Sequence, residues 1–177
     1  MREAILINTS TLLEQRPAQL AMVGLIVARW AYVEQAMAFF YDYLLAQKGP
    51  PQEFGYPIDG LGVASFAAVR SLRAKLDLLH LAIEWRLGGE VLAEFKDSAG
   101  RRIETASRAR NVVAHGYARC SDEYPDALVY DWNGRDNVYT TAALADVLEK
   151  VGDAHEVVAW FHNIRARSLI QSAGGAK

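Results

Sequence analysis

The chain has 177 residues, of which 51% are apolar and 23% are charged, and its formal net charge is −2. This is the composition of one soluble globular domain, and it excludes disordered and fibrous classes. Cys120 is the only cysteine, which excludes a disulfide-rich class. The sequence pI of about 6.1 argues against general wrapping of DNA, because affinity for duplex phosphates comes from many Lys and Arg contacts.

The sequence also indicates where the protein works. No basic stretch followed by a long apolar one stands at the N-terminus, and the longest apolar run, Leu20 to Ala28, is shorter than the ~20 residues needed to cross a bilayer. A metal site is not expected either, because the two histidines of the last predicted helix, His155 and His162, are two helical turns apart with no further ligands nearby. We therefore expect a soluble, cytoplasmic protein without a membrane segment, a metal site or a cofactor.

The first predicted helix runs from Pro17 to about Lys48. Pro17 suits a first helical turn, and the run of Gly49, Pro50 and Pro51 ends the helix. Its apolar residues recur at steps of three and four, which is the spacing of one helical face: Leu20, Val23, Val27, Trp30, Met37, Tyr41 and Leu44.

Two further helices are predicted before residue 116. Helical spacing of apolar residues predicts one helix from about Val63 to Leu87, ended by Gly88 and Gly89. The same signal predicts the next from about Glu90 to His115, with Gly116 as its C-terminal cap and Gly100 as a weak point.

The pattern changes after Gly116. Two short β-branched and aromatic segments, 127–132 and 138–141, flank the turn-rich sequence NGRDN, which predicts a hairpin at about 126–141. A final helix follows from about Thr141, its N-cap, to Leu169, and the tail 171–177 is expected to be frayed. The predicted fold is all-α: one domain over 1–177, an up-and-down bundle of four to five helices with a small β-hairpin before the last helix.

Two charged residues fall on apolar helical faces. Arg110 occupies a position where the third helix calls for a residue such as leucine, and Glu34 lies between Trp30 and Met37 on the first helix. A buried guanidinium without a partner costs several kcal/mol, so Arg110 must be paired or face a cleft. We predict a contact between Glu34 and Arg110, with the first and third helices as neighbours.

Arg110, Asn111 and His115 are close enough along the third helix to converge on one small ligand. Asn111 and His115 share a helical face, and Arg110 lies about a quarter turn away. Residues 94–119 carry six basic against three acidic side chains, which suits a phosphate; the other arginines of this segment are Arg101, Arg102, Arg108 and Arg119. The alternative is structural: a buried salt bridge, a capping amide and a histidine that bonds the last helical carbonyls.

Residues 110–116 resemble the signature of HEPN domains, which is Arg, a polar residue, three further residues and His; here it reads Arg110, Asn111, Val112, Val113, Ala114, His115, Gly116. HEPN domains are helical bundles found in toxin and antitoxin pairs, in antiviral systems and in RNA processing. The long first helix with its inward glutamate (RWAYVEQAM) and the closing helix are also similar to that superfamily. The resemblance covers most of the chain.

This resemblance implies metal-independent RNA cleavage by a homodimer, in which the Arg and His of both subunits line one cleft. Arg110 would stabilise charge on the phosphate, His115 would transfer the proton of the 2′-hydroxyl or of the leaving group, and Asn111 would orient the phosphate or the histidine. Glu34 and Arg108 would support them, and Arg101, Arg102 and Arg119 would bind RNA phosphates. The resemblance to toxin and antitoxin pairs allows an antitoxin protein as a further partner, but the sequence does not identify one, such as a nucleotidyltransferase-like protein.

A non-catalytic HEPN-like interaction or RNA-binding module is the alternative, with the Glu34 and Arg110 pair then only architectural. Among the aromatic residues, only Tyr130 and Trp132 of the hairpin are candidates for substrate contact. His155, His162 and His80 are predicted to be surface or packing residues.

Overall fold

The computed structural model describes residues 14–46 and 61–174. Their backbone contacts define two compact units: a first unit of 14–30 and 104–152, and a second unit of 31–46, 61–103 and 153–174. The described residues are mostly α-helical, with one small antiparallel sheet before the last helix, which confirms the predicted fold class. That the whole chain is one domain stays a prediction.

The first helix, α1 (Pro17–Leu45), begins at Pro17 as predicted. The proposed terminators at 49–51 lie outside the described residues. Within the described part of the chain, α1 is the one helix that is long and apolar enough to cross a membrane, a test that core helices of soluble proteins also pass. Its buried positions recur every three or four residues, as in a core helix: Ile26, Trp30, Val33, Met37, Phe40 and Leu44.

The helix predicted from Val63 to Leu87 is two helices, α2 (Leu61–Ala68) and α3 (Leu72–Leu87). The break falls at Ser71, whose extended backbone and side-chain oxygen cap α3 by accepting the Ala74 N–H at 3.4 Å. Apolar spacing continues through the break, and for this reason the periodicity alone missed it. Gly88 ends α3 with φ +93°, as the Gly-Gly joint predicted.

The helix predicted over 90–115 is continuous but not uniform. It comprises α4 (Gly89–Phe95), a π-helical turn (Lys96–Gly100) and α5 (Arg101–His115), so that Gly100, the predicted weak point, lies at the end of the π-helical turn. The last helix is divided in the same way, into α6 (Thr141–Trp160), a π-helical turn (Phe161–Ala166) and α7 (Arg167–Gly174). It therefore extends beyond the predicted end at Leu169.

Aromatic rings fill the core of the second unit. Phe40 packs against Phe95, with ring centroids 6.1 Å apart, and Phe95 contacts Phe161 edge to face at 5.1 Å. His162 stacks on Phe40 at 5.8 Å, and burial lowers the pKa of its imidazole to about 4. His80 contacts Phe95 at 5.9 Å. Both histidines are packing residues, as predicted.

The sheet lies in the first unit and has three strands in the order β1 (Tyr117–Ser121), β2 (Tyr124–Trp132) and β3 (Arg135–Thr140). The prediction of a two-stranded hairpin found β2 and β3 but missed β1, which is short and interrupted by a bulge between Arg119 and Ser121. Asn133 and Gly134 join β2 to β3 with positive φ angles of 54° and 71°, the backbone that a two-residue hairpin turn requires.

The N-cap of α6 is Thr140, one residue before the predicted Thr141. Thr140 Oγ1 accepts the Ala143 N–H at 3.2 Å, whereas Thr141 is the first helical residue. The Thr141 hydroxyl instead accepts a hydrogen bond from Gln19 Nε2 at 3.3 Å, and the same amide nitrogen donates to the Asp126 carbonyl at 3.1 Å. Buried Gln19 thus ties the start of α1 to both β2 and α6 within the first unit.

Candidate functional site

Helix α5 ends in the first unit, directly before the sheet, and a glycine makes this passage possible. The Gly116 N–H still donates to the Val112 carbonyl at 2.8 Å, as in a helix. A Cβ on Gly116 would lie 2.4 Å from that carbonyl oxygen and 2.9 Å from Cδ1 of Tyr130. Gly116 is therefore required by close packing. The sequence predicted it as a C-terminal cap, but its backbone is not in the left-handed conformation of such a cap.

The last turns of α5 bring Arg110, Asn111 and His115 together. Arg110 Nη1 donates to Asn111 Oδ1 at 3.0 Å, and the same nitrogen lies 3.0 Å from His115 Nε2. A guanidinium has donors only, so a hydrogen bond between these two atoms needs His115 Nε2 as the acceptor. The three residues predicted to converge on one ligand thus form one hydrogen-bonded group.

Trp30 adds an aromatic surface beneath this group. The guanidinium carbon of Arg110 lies 5.7 Å from the Trp30 ring centroid, a distance at which a cation is attracted to the face of an indole. Trp30 is buried, Arg110 and Asn111 are half-buried, and His115 is exposed. The sequence placed Trp30 on the apolar face of α1 but gave no sign that this ring contacts Arg110.

Glu34 has a cationic partner that the sequence analysis overlooked. In the second unit, Lys75 Nζ donates to Glu34 Oε1 at 3.1 Å. Lys75 stands at a buried position of α3, next to Leu76, so its sequence signal was the same as that of Arg110: a charge where helical spacing calls for an apolar residue. The contact predicted between Glu34 and Arg110 stays a prediction.

The remaining arginines of the basic segment have local contacts of their own. In the first unit, Arg119 Nη2 pairs with Asp136 at 2.5 Å, and exposed Arg108 lies 3.5 Å from the Thr105 hydroxyl. In the second unit, Arg101 pairs with Asp97 at 2.6 Å, and Arg102 is exposed. The predicted phosphate contacts of these side chains stay predictions, and for the two ion-paired arginines a phosphate would have to replace a carboxylate.

Tyr130 does not suit the predicted contact with a substrate. Its side chain is only 1% exposed, it packs on the Gly116 backbone and on the Tyr139 ring, and burial raises the pKa of its hydroxyl to about 12. It is a core residue of the first unit. Trp132, at the end of β2, is half-buried.

Among residues 14–46 and 61–174, no three His, Cys, Asp or Glu side chains lie close enough to hold a metal ion. Comparisons of the chain with protein families, with curated proteins and with solved structures found no match. The resemblance to HEPN domains therefore depends on residues 110–116 and on the order of the helices.

Proposed function

We propose that this chain is a HEPN-type, metal-independent endoribonuclease that acts as a cytoplasmic homodimer in a toxin-antitoxin or defence system. One observation supports the proposal most strongly. Arg110 Nη1 lies 3.0 Å from both Asn111 Oδ1 and His115 Nε2, at a helix end where His115 is exposed. A fixed cation and an imidazole side by side are the groups that phosphodiester transfer needs.

Each residue has a separate role in the proposed reaction. His115 Nε2 carries the lone pair that accepts the proton of the ribose 2′-hydroxyl, whose oxygen then attacks the adjacent phosphorus while the 5′-oxygen leaves. Arg110 exchanges its contact with His115 for the phosphate oxygens and stabilises their growing charge. Asn111 accepts from Nη1 and so orients the guanidinium, and the Trp30 ring supports the guanidinium from below.

The homodimer supplies what one chain lacks in this scheme. Two copies bring two imidazoles to one cleft, so that one accepts the 2′-hydroxyl proton while the other donates a proton to the leaving oxygen. Arg108 supports the group, and Arg119 binds a flanking phosphate. The antitoxin partner would act by covering His115.

Cleavage of RNA in excess chelator tests this proposal. We expect His115→Ala to reduce the rate by about 10²–10⁴-fold, the usual contribution of a general acid or base. Arg110→Lys keeps the charge but loses the fork, and it should cost about 10²-fold or more. Arg73→Ala, an exposed arginine of α3 that pairs with Asp77 and has no proposed role, is the control and should change the rate little. Absent cleavage, or equal rates in all the proteins, would refute the enzyme.

A non-catalytic RNA-binding module is the second candidate, in which the same contacts of Arg110 are only architectural. Its guanidinium is held by Asn111, His115 and Trp30, as in a group whose task is to fix a helix end. Filter binding of RNA, measured beside the cleavage assay, separates the two functions. A module would retain RNA in a filter-binding measurement without cleaving it, and His115→Ala would leave the bound fraction unchanged.

A further inference from the structure

A groove in the second unit lies apart from residues 110–115 in the sequence and has its own chemistry. It has a volume of about 430 Å³, within the range of small-ligand pockets, and is formed by α1, α2 and Lys75 of α3. Three aromatic side chains line it, Tyr32, Phe39 and Phe66, together with the ion pair of Glu34 and Lys75. The groove is thus mostly apolar, with a few polar groups brought together.

The ion pair is partly buried in this apolar surrounding. The Lys75 side chain is 7% exposed and that of Glu34 is 38% exposed, and Lys75 Nζ lies 5.9 Å from the Phe66 ring centroid. A buried ion pair seldom stabilises a fold more than apolar side chains of the same size. What the pair does provide is an ammonium donor and a carboxylate acceptor, about 3 Å apart, on the lining of a groove.

The aromatic side chains offer flat surfaces to a ligand. Tyr32 is 58% exposed and Phe39 is 36% exposed. The Tyr32 ring is held edge to face against His155, at a centroid distance of 6.4 Å. An exposed ring held in this way, such as that of Tyr32, is a stacking surface for a planar group.

We infer that this groove binds a guanine base, either in a free nucleotide or as an unstacked base of RNA. The pairing edge of guanine presents one acceptor, O6, beside two donors, N1–H and N2–H. Lys75 Nζ would donate to O6, and the Glu34 carboxylate would accept from N1–H and N2–H. The aromatic side chains would stack on the base.

Other bases match this pair of charges less well. Adenine offers one donor and one acceptor, and cytosine offers one donor and two acceptors, so each loses one bond to the carboxylate. Uracil places O2 against Glu34, where two acceptors repel each other. Inosine has the guanine edge without the N2 amine, so it differs from guanosine by one hydrogen bond alone. The expected order of affinity is guanine, then inosine, adenine and cytosine, then uracil.

Calorimetric titration of the purified full chain with nucleoside monophosphates tests the inference. We expect GMP to bind about tenfold more tightly than IMP, because one hydrogen bond to a charged group is lost. Ribose 5-phosphate should not bind measurably. The source of the base is identified by competition of GMP with a guanine-containing single-stranded RNA and with the same RNA carrying inosine. Tighter binding of the guanine RNA than of GMP indicates that the base belongs to RNA, and the reverse indicates a free nucleotide.

Two variants remove the proposed contacts. Glu34→Gln should abolish the preference of GMP over IMP, and Tyr32→Ala, which changes a mostly exposed ring, should weaken all bases about tenfold or more. Glu94→Gln is the matched control, because Glu94 accepts from Arg165 at 2.9 Å in the same unit but lies outside the groove. Circular dichroism verifies that each variant is folded. Failure of GMP to bind at millimolar concentration, or an unchanged preference in Glu34→Gln, would overturn the inference. The inference stands independently of RNA cleavage, since none of these measurements uses activity.

Discussion

Replacing Gly116 by alanine should destabilise the chain, because this residue passes closer to its neighbours than a side chain allows. A Cβ there would lie 2.4 Å from the Val112 carbonyl oxygen and 2.9 Å from Tyr130 Cδ1. Both neighbours are fixed: the carbonyl belongs to the helix backbone, and the tyrosine ring is 1% exposed. Relief requires a shift of several tenths of an ångström in packed structure. Such overpacking costs about 1–3 kcal/mol, and we expect Gly116→Ala to lower the free energy of unfolding by this amount.

Gly24→Ala is the matched control, in the same unit and with the same change. A Cβ on Gly24 would meet nothing within 4 Å, and the residue lies inside α1. Alanine is favoured over glycine in a helix, so this variant should gain about 0.5–1 kcal/mol. Urea unfolding followed by circular dichroism measures both, with an unchanged m-value showing that only stability moved. A Gly116→Ala protein as stable as the natural chain would refute the close packing of α5 against Tyr130.

Three further predictions concern single side chains. The His162 pKa of about 4, against an ordinary 6.5, means that the unfolded chain binds more protons between these values. Because the imidazole is only partly buried, solvent screening reduces the effect, and stability should fall by about 1–2 kcal/mol as pH drops from 6.5 to 4; His162→Phe should remove this part of the pH dependence in urea titrations. Asn133, with φ 54°, should tolerate glycine, whereas Asn133→Ala should cost about 1 kcal/mol in thermal unfolding; equal stability of both would contradict the turn. An absorbance titration should show a tyrosine that ionises near pH 12. Loss of this step in Tyr130→Phe would assign it to the Tyr130 hydroxyl, whereas a step that persists in Tyr130→Phe would show that another tyrosine is responsible.

Helical periodicity predicted most of the elements because it reports burial on one face. It identified the start of α1, the Gly88 end of α3 and the continuity of α4 with α5. It could not find the break before Ser71, because the apolar spacing runs through that residue and only a side-chain cap marks it. Strand β1 was missed since a bulge disrupts the alternation of its five residues.

The residues of the candidate site could be chosen from the sequence, but not all of their neighbours. Arg110 and His115 stood out because charged and titratable groups interrupted an apolar helix, and helical geometry placed Asn111 beside them. The ring of Trp30 under Arg110 could not be predicted, since it comes from a helix distant in sequence. Lys75 carries the same signal as Arg110, and the sequence alone does not show that Lys75 pairs with Glu34.

The chemistry assigned to Arg110 and His115 can be measured most directly on one RNA that carries a single preferred cleavage position. With the purified chain in excess chelator, the all-ribose strand should be cut to leave a 2′,3′-cyclic phosphate and a 5′-hydroxyl. The same strand with one 2′-deoxyribose at that position should remain intact there, because His115 then has no hydroxyl proton to accept. Equal cleavage of both strands, or products that end in a 3′-hydroxyl and a 5′-phosphate, would contradict the proposed roles of Arg110 and His115.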